Sequence, residues 1–177
     1  MLFRSIISTN AGLWAYNIGD TVQFTSLKPY RVIVSGRIKH YISAFGEHVI
    51  GKEVESALQE AMQNTPVRVN EFTVAPQISL TNGLPYHEWF IEFENEPENI
   101  ENFALQIDNA MREQNTYYDD LIVGHVLRTL VITKVNKNGF QDYMKSIGKL
   151  GGQNKTPRLS NDRNIAQKLE KENDDTK

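Results

Sequence analysis

Apolar positions up to about Ser35 fall into short runs, Leu13-Trp14-Ala15-Tyr16, Thr21 to Thr25 and Tyr30 to Val34, that predict strands. Gly19-Asp20 and Lys28-Pro29 punctuate them as turns. Three short strands make a poor domain, and they read as the edge of something larger. From Gly36 the pattern changes to alternating strands and helices. Tyr41 to Ala44 predicts a short strand. Lys52 to Asn64 predicts a helix, since Val54, Leu58 and Met62 recur every four positions with Ala57 and Ala61 beside them. Arg68 to Ser79 and His87 to Glu94 predict a hairpin turning at Asn82-Gly83, with Trp89, Ile91 and Phe93 on one face. Glu98 to Glu113 predicts a second helix, whose Ile100, Phe103, Ala104, Ile107, Ala110 and Met111 trace one face, and Leu130 to Val135 a closing strand.

The order strand, helix, strand, strand, helix, strand is that of the ferredoxin-like arrangement, an α+β fold with two helices over one antiparallel sheet. Tyr117 to Val126 adds a helical turn, and Phe140, Tyr143, Met144 and Ile147 a further helix ended by Gly148, Gly151 and Gly152. Asn161 or Asp162 caps a final helix through Leu169, and the charged stretch Glu170 to Lys177 is expected to fray. There is no internal repeat.

With 177 residues and 40% hydrophobic content, the chain can bury one moderate core. A net charge of -3 gives no general attraction to polyanions, which argues against nucleic-acid and membrane-surface roles. The charge is uneven: Glu88 to Asp120 is acidic, whereas Arg128 to Arg163 carries most of the lysines of the second half. The absence of cysteine removes disulfides, thiolate metal sites and cysteine nucleophiles together. No segment approaches the roughly 20 apolar residues of a membrane span, and Asn10 and Gly12 interrupt any signal-like core, so the expected location is the cytoplasm.

Three clusters carry candidate chemistry. Tyr16-Asn17-Ile18-Gly19-Asp20 puts an ionised carboxylate in a tight turn, where it can accept hydrogen bonds from vicinal hydroxyls such as those of a ribose, although by itself a plain turn is the commoner explanation. Gly36-Arg37-Ile38-Lys39-His40 is followed by Phe45-Gly46-Glu47-His48. Arg37 and Lys39 lie two apart on an extended segment and can face one anion, and Gly46 allows close backbone approach. The third cluster, Gly151-Gly152-Gln153-Asn154-Lys155-Thr156-Pro157-Arg158, reads as a mobile loop whose Lys155 and Arg158 can reach a triphosphate. It is not a Walker A loop, because Gly148-Lys149 is followed by Leu150.

In this order and spacing the clusters resemble the late motifs of the adenylate-forming superfamily. Leu13-Trp-x-Tyr16-x-x-Gly-Asp20, Ile42-x-Ala44-Phe45-Gly46-Glu47 and Gln153-x-Lys155-x-Pro157-Arg158 look closest to the Gretchen Hagen (auxin-responsive promoter) family of acyl-acid amido synthetases, C-terminal part, in a bacterial form. The resemblance implies ATP and Mg2+ as cofactors, a carboxylic acid and an amine or amino acid as substrates, and an acyl-adenylate intermediate. It implies that Asp20, with Gly19 beside it, holds the ribose hydroxyls, that Tyr16 lies near the nucleotide and that Arg37 assists at ribose or phosphates. Lys39 would sit at the hinge about which the domain rotates, and Lys155 would enter the site during adenylation. It also implies a division into 1-36, a β-rich remnant of a large N-terminal domain, 37-160, the C-terminal α+β domain, and 161-177, a terminal helix and tail. The family's phosphate loop and acid pocket have no counterpart here, so an N-terminal domain in cis or trans is an implied partner. The competing reading is a non-catalytic, ferredoxin-like small-molecule-binding or regulatory module.

His40, His48, His87 and His125 lack the spacing of a helical metal pair, and structural or surface roles are expected. Glu92, Glu94, Glu96 and Glu98 alternate as one solvated face of a strand would. Trp89, Phe90 and Phe93 invite a base-stacking reading, but neighbouring glutamates would repel phosphates, which leaves core packing.

Overall fold

The computed structural model describes residues 3–37, 41–78, 83–149, 151 and 154–174. The first described segment is a three-stranded antiparallel sheet in the order β1-β2-β3, from β1 (Phe3–Ile7), β2 (Tyr16–Leu27) and β3 (Tyr30–Arg37). The expected break at Gly19-Asp20 is instead an interruption inside one long strand. Between Arg4↔Thr21 and Ile6↔Asn17 the β2 register gains residues over β1, and Gly19 sits there at φ +80°, which a glycine adopts without steric cost. Phe3, Phe24 and Tyr30 meet edge to face on this sheet, yet Tyr30 remains 78% exposed and Trp14 87%.

Next come β4 (Tyr41–Ile42) and β5 (Val49–Ile50), α1 (Gly51–Asn64), β6 (Arg68–Gln77) and β7 (Tyr86–Asn95). They are followed by α2 (Ile100–Gln114), α3 (Thr116–Val123), β8 (Val131–Lys134), α4 (Gly139–Ser146) and α5 (Asn164–Asp174). The α+β, ferredoxin-like architecture expected from the pattern is present, with differences in how strands pair. The hairpin β6-β7 is antiparallel as expected, but β8 joins β7 in parallel, and the strand at Tyr41 pairs with β5 in a ribbon of its own. The free edge of β6 is taken by the segment after Lys155: Val74 N donates to Arg158 O at 2.9 Å, and Ser160 N donates to Val74 O at 3.0 Å, making a parallel bridge to Leu159. The Asn82-Gly83 turn begins outside the described residues.

Helices lie on both faces of the β6-β7-β8 sheet. Alternation along β7 sends Trp89 and Ile91 to one side and Phe90 to the other. On the first side they meet Val54 and Leu58 of α1 and Phe103, Ile107 and Met111 of α2, the helix stripes read from the sequence, together with Tyr118 of α3. On the second side Phe90, Ala75 and Val135 meet Phe140, Tyr143 and Met144 of α4 and Ile165, Ala166 and Leu169 of α5. This second cover corrects the expectation for the glutamates. Glu94 and Glu96 are exposed, but Glu92 is buried beneath α4, accepting from Asn138 N at 3.1 Å and Asn70 Nδ2 at 3.4 Å. The final helix opens on Asp162, whose Oδ1 accepts from Asn164 N at 2.9 Å, and continues past Leu169 to Asp174.

Candidate active site

The bulge in β2 determines how Asp20 is presented. Gly19 N donates to Asn17 Oδ1 at 3.0 Å, a local loop-back that lets the strand turn out and return, and Asp20 follows at once. Across the ladder Asp20 stands opposite Arg37 of β3, so the structure puts two of the sequence-selected residues face to face at backbone level. Tyr16 lies on the same strand before the bulge, opposite Ile7, and is exposed. Lys39, expected at the hinge, lies outside the described residues.

The loop after β4 is held by a buried acid that the sequence reading placed only in a motif. Glu47 is fully buried; its Oε2 accepts from Phe45 N at 2.8 Å and its Oε1 from Ala44 N at 3.3 Å. The same Oε1 lies 2.9 Å from Nε2 of His87, which is the core histidine. Burial alone would raise the Glu47 pKa, but the His87 hydrogen bond, the backbone amides and the charge His87 carries when protonated outweigh it and hold the carboxyl below the usual range. Asn115, at the joint of α2 and α3, donates to Glu47 O at 3.0 Å and Glu53 Oε2 at 3.2 Å, while its own Oδ1 accepts from Tyr118 N. Tyr118 in turn donates to Asp108 at 2.6 Å; burial, then Asp108, pushes this phenol well above its ordinary pKa and keeps it a donor.

The segment carrying Lys155 is anchored, not loose. Thr156 and Leu159 are buried, and Thr73 Oγ1 donates to Pro157 O at 2.7 Å. Arg158, expected to reach a triphosphate, is committed to the scaffold. It pairs with Glu71 and with Glu55 (3.3 Å), donates to Phe72 O at 3.1 Å and lies 4.5 Å from the Phe72 ring centre. Lys155 is exposed, and among the described residues no carboxylate pairs with it. It borders a cavity of about 470 Å³ whose other walls include Asn70, Glu92, Phe140, Met144 and Lys149. Tyr16, Gly19 and Asp20 do not line that cavity.

A polar joint connects this segment to β4. Asn161 Nδ2 donates to Tyr41 O at 2.9 Å, and its Oδ1 accepts from Ser43 N at 2.9 Å. Nothing in the sequence pattern pointed to it, because the partners are far apart in the chain and Asn161 also fitted a helix cap. Among the described residues no group of three His, Cys, Asp or Glu side chains could hold a metal ion. No helix of the described residues is long and apolar enough to cross a membrane.

Comparison with family models identifies one family. The chain matches the GH3 family C-terminal domain over residues 52–164 and the GH3 family central domain over residues 2–37. No curated protein matches it in sequence. Among solved structures, it is similar to one described as "GH3.15 acyl acid amido synthetase", at TM-score 0.74 and 17% identity. It is also similar to "AtGH3.15 acyl acid amido synthetase in complex with 2,4-DB", at TM-score 0.71 and 17% identity. Each alignment covers 96% of this chain and 32% of the other, so the chain spans about a third of their length.

Proposed function

The chain belongs to the GH3 family, and we propose that it is the C-terminal portion of an ATP-dependent acyl-acid amido synthetase. The full reaction would activate a carboxylic acid as acyl-AMP and pass the acyl group to an amine, the amine of an amino acid in our reading. In this proposal residues 1–36 belong with a larger N-terminal domain, 37–160 form the rotating α+β domain, and 161–177 close it with the terminal helix and tail. The exposed rings of the first sheet support a larger neighbour, since apolar surface of that kind is usually covered by a partner.

The observation that carries the reading is a Lys155 that no carboxylate of the described residues pairs with, on a firmly seated segment. When a carboxylate attacks the α-phosphate of ATP, negative charge grows on the phosphorus oxygens and the departing pyrophosphate. A cation aimed there is more useful if its scaffold is rigid, because no reorganisation is then needed at the moment of reaction. Arg158 is fully occupied by Glu71, Glu55 and Phe72, so it orients the segment, and Lys155 remains the cation for the phosphates. Asp20 and Arg37, opposed across β2 and β3, are assigned to the ribose and the nearer phosphates, with Gly19 shaping the strand and Tyr16 beside the nucleotide. Lys39 is assigned to the hinge. Mg2+ would enter with the triphosphate, whose oxygens suit this hard cation.

Mixing the chain with an N-terminal GH3 polypeptide, and assaying pyrophosphate exchange that depends on added acid, tests this reading. Activity should appear, and Lys155→Ala should lower it by roughly two to three decades, the scale for losing one preorganised charge donor. Failure of the mixture to exchange, with both parts folded, would favour the regulatory module.

A further inference from the structure

Two features describe how Lys155 is carried. Arg158 clamps the chain three residues beyond it to the β6 edge through Glu71 and the Phe72 ring and to α1 through Glu55, while Val74 brackets the same segment with two backbone hydrogen bonds. Three residues further, the Asn161 side chain mimics a strand partner, donating to Tyr41 O and accepting from Ser43 N on the first described residues after the hinge. The segment from Lys155 to Asn161 is thus fixed at both the sheet and the hinge-side ribbon β4.

We propose that Arg158 and Asn161 are positioning residues that strap Lys155 to β6 and β4, so that the lysine cannot swing on its own loop and moves only when the domain turns as one body. This deepens the proposed function and rests on it for its catalytic consequence. Asn161 uses one donor and one acceptor on backbone groups two residues apart, a match that neither aspartate nor alanine reproduces. Arg158 uses both its charge and its flat face, which lysine matches only in charge. The strap also explains why an arginine so close to Lys155 is neutralised by two glutamates: its charge is spent on holding the segment down.

The first test uses the full chain alone and amide hydrogen exchange. Arg158→Ala should speed exchange at Val74 and Ser160 roughly tenfold or more, and Asn161→Ala should do so at Ser43, while Trp89 and Ile91 in the central strand stay slow. Arg158→Lys, which keeps the charge should the alanine variant fold poorly, should fall between. Unchanged exchange at Val74, Ser160 and Ser43 would overturn the strap. The second test uses the mixture with an N-terminal GH3 polypeptide. Arg158→Ala and Asn161→Ala should each lower kcat for pyrophosphate exchange with little change in KM for ATP, and adding either to Lys155→Ala should cause no further loss. Independent, additive losses would overturn the proposal. If Lys155→Ala itself left exchange of pyrophosphate intact, the proposed function would fall, and the amide measurements would still decide whether the strap exists.

Discussion

Glu47 Oε1 lies 2.9 Å from His87 Nε2, with both side chains sealed from solvent, and this contact fastens the loop between β4 and β5 to the central strand β7. His87→Ala would leave a buried carboxylate held only by backbone amides. A buried charge stripped of its partner costs about 3–5 kcal/mol, so the urea midpoint should fall steeply. Glu47→Gln, which can still bond His87 without a charge, should cost less. Equal midpoints for His87→Ala and the parent chain would show that the pair does not hold the loop.

Acid dependence should separate two neighbouring glutamates by sign. Glu47 has its pKa held down in the folded chain, against the effect of burial, by His87 and the amides. Its contribution to stability is therefore fully present above the ordinary carboxylate value and is lost as pH falls through the lowered one. Glu53 has its pKa raised by burial, against the Ile50 amide and Asn115 that favour the charged form. The folded state then favours the proton, and stability declines as pH rises from the ordinary carboxylate value through the raised one. Thermal melts at pH 7 and pH 4 check this: Glu47→Gln should be most harmful at pH 7, whereas any gain from Glu53→Gln at pH 7 should shrink at pH 4.

Tyr118→Phe removes a 2.6 Å hydrogen bond to Asp108 without opening a cavity. Asp108 would keep Leu130 N at 3.1 Å but lose its shorter donor. Hydrogen bonds to charged groups contribute about 1.5–3 kcal/mol, and denaturant unfolding should show a loss of that order. Adding Asp108→Asn should shrink the effect of Tyr118→Phe, since an uncharged partner depends less on the hydroxyl.

Gly139 opens α4 with no spare room: a Cβ there would lie 2.6 Å from Val135 Cγ1. Gly139→Ala should therefore destabilise the second face of the sheet, by about 1–3 kcal/mol as overpacking does, despite alanine's better helix propensity. Trimming the obstacle with Val135→Ala should recover part of the loss in the double variant. Independent, additive destabilisation would mean that the two side chains do not collide.

Much of the fold could be read from periodicity, because α1, α2 and β7 each bury one regular stripe: Val54 and Leu58, Phe103 with Ile107, and Trp89 with Ile91. The second face was harder to see. Glu92 alternates like a solvated residue, and only the arrival of α4 from far along the chain buries it. Strand pairing was also hidden, since periodicity says which side a residue faces and nothing about its neighbour strand; hence the parallel docking of β8 and of Leu159. In the candidate site, motif order singled out Asp20, Arg37 and Lys155, and the backbone places Asp20 opposite Arg37. It could not tell Arg158 from Lys155, because two cations close together look alike in sequence, whereas the partners of Arg158, Glu55 and Glu71, sit in distant elements.

Asp20 provides the sharpest functional prediction. It emerges from the Gly19 bulge opposite Arg37 and is half-buried in the first sheet. If its carboxylate holds the ribose, Asp20→Ala in the mixture with an N-terminal GH3 polypeptide should forfeit a charge-assisted hydrogen bond of about 1.5–3 kcal/mol, or roughly a 10- to 100-fold rise in KM for ATP. Asp20→Asn keeps an acceptor oxygen and should lose less, and the KM for the acid should not move with either change. Steady-state pyrophosphate exchange measured against ATP, then against acid, separates the two constants. A KM for ATP equal to the parent's in both variants would remove the sugar from Asp20 and reassign the bulge to strand geometry alone.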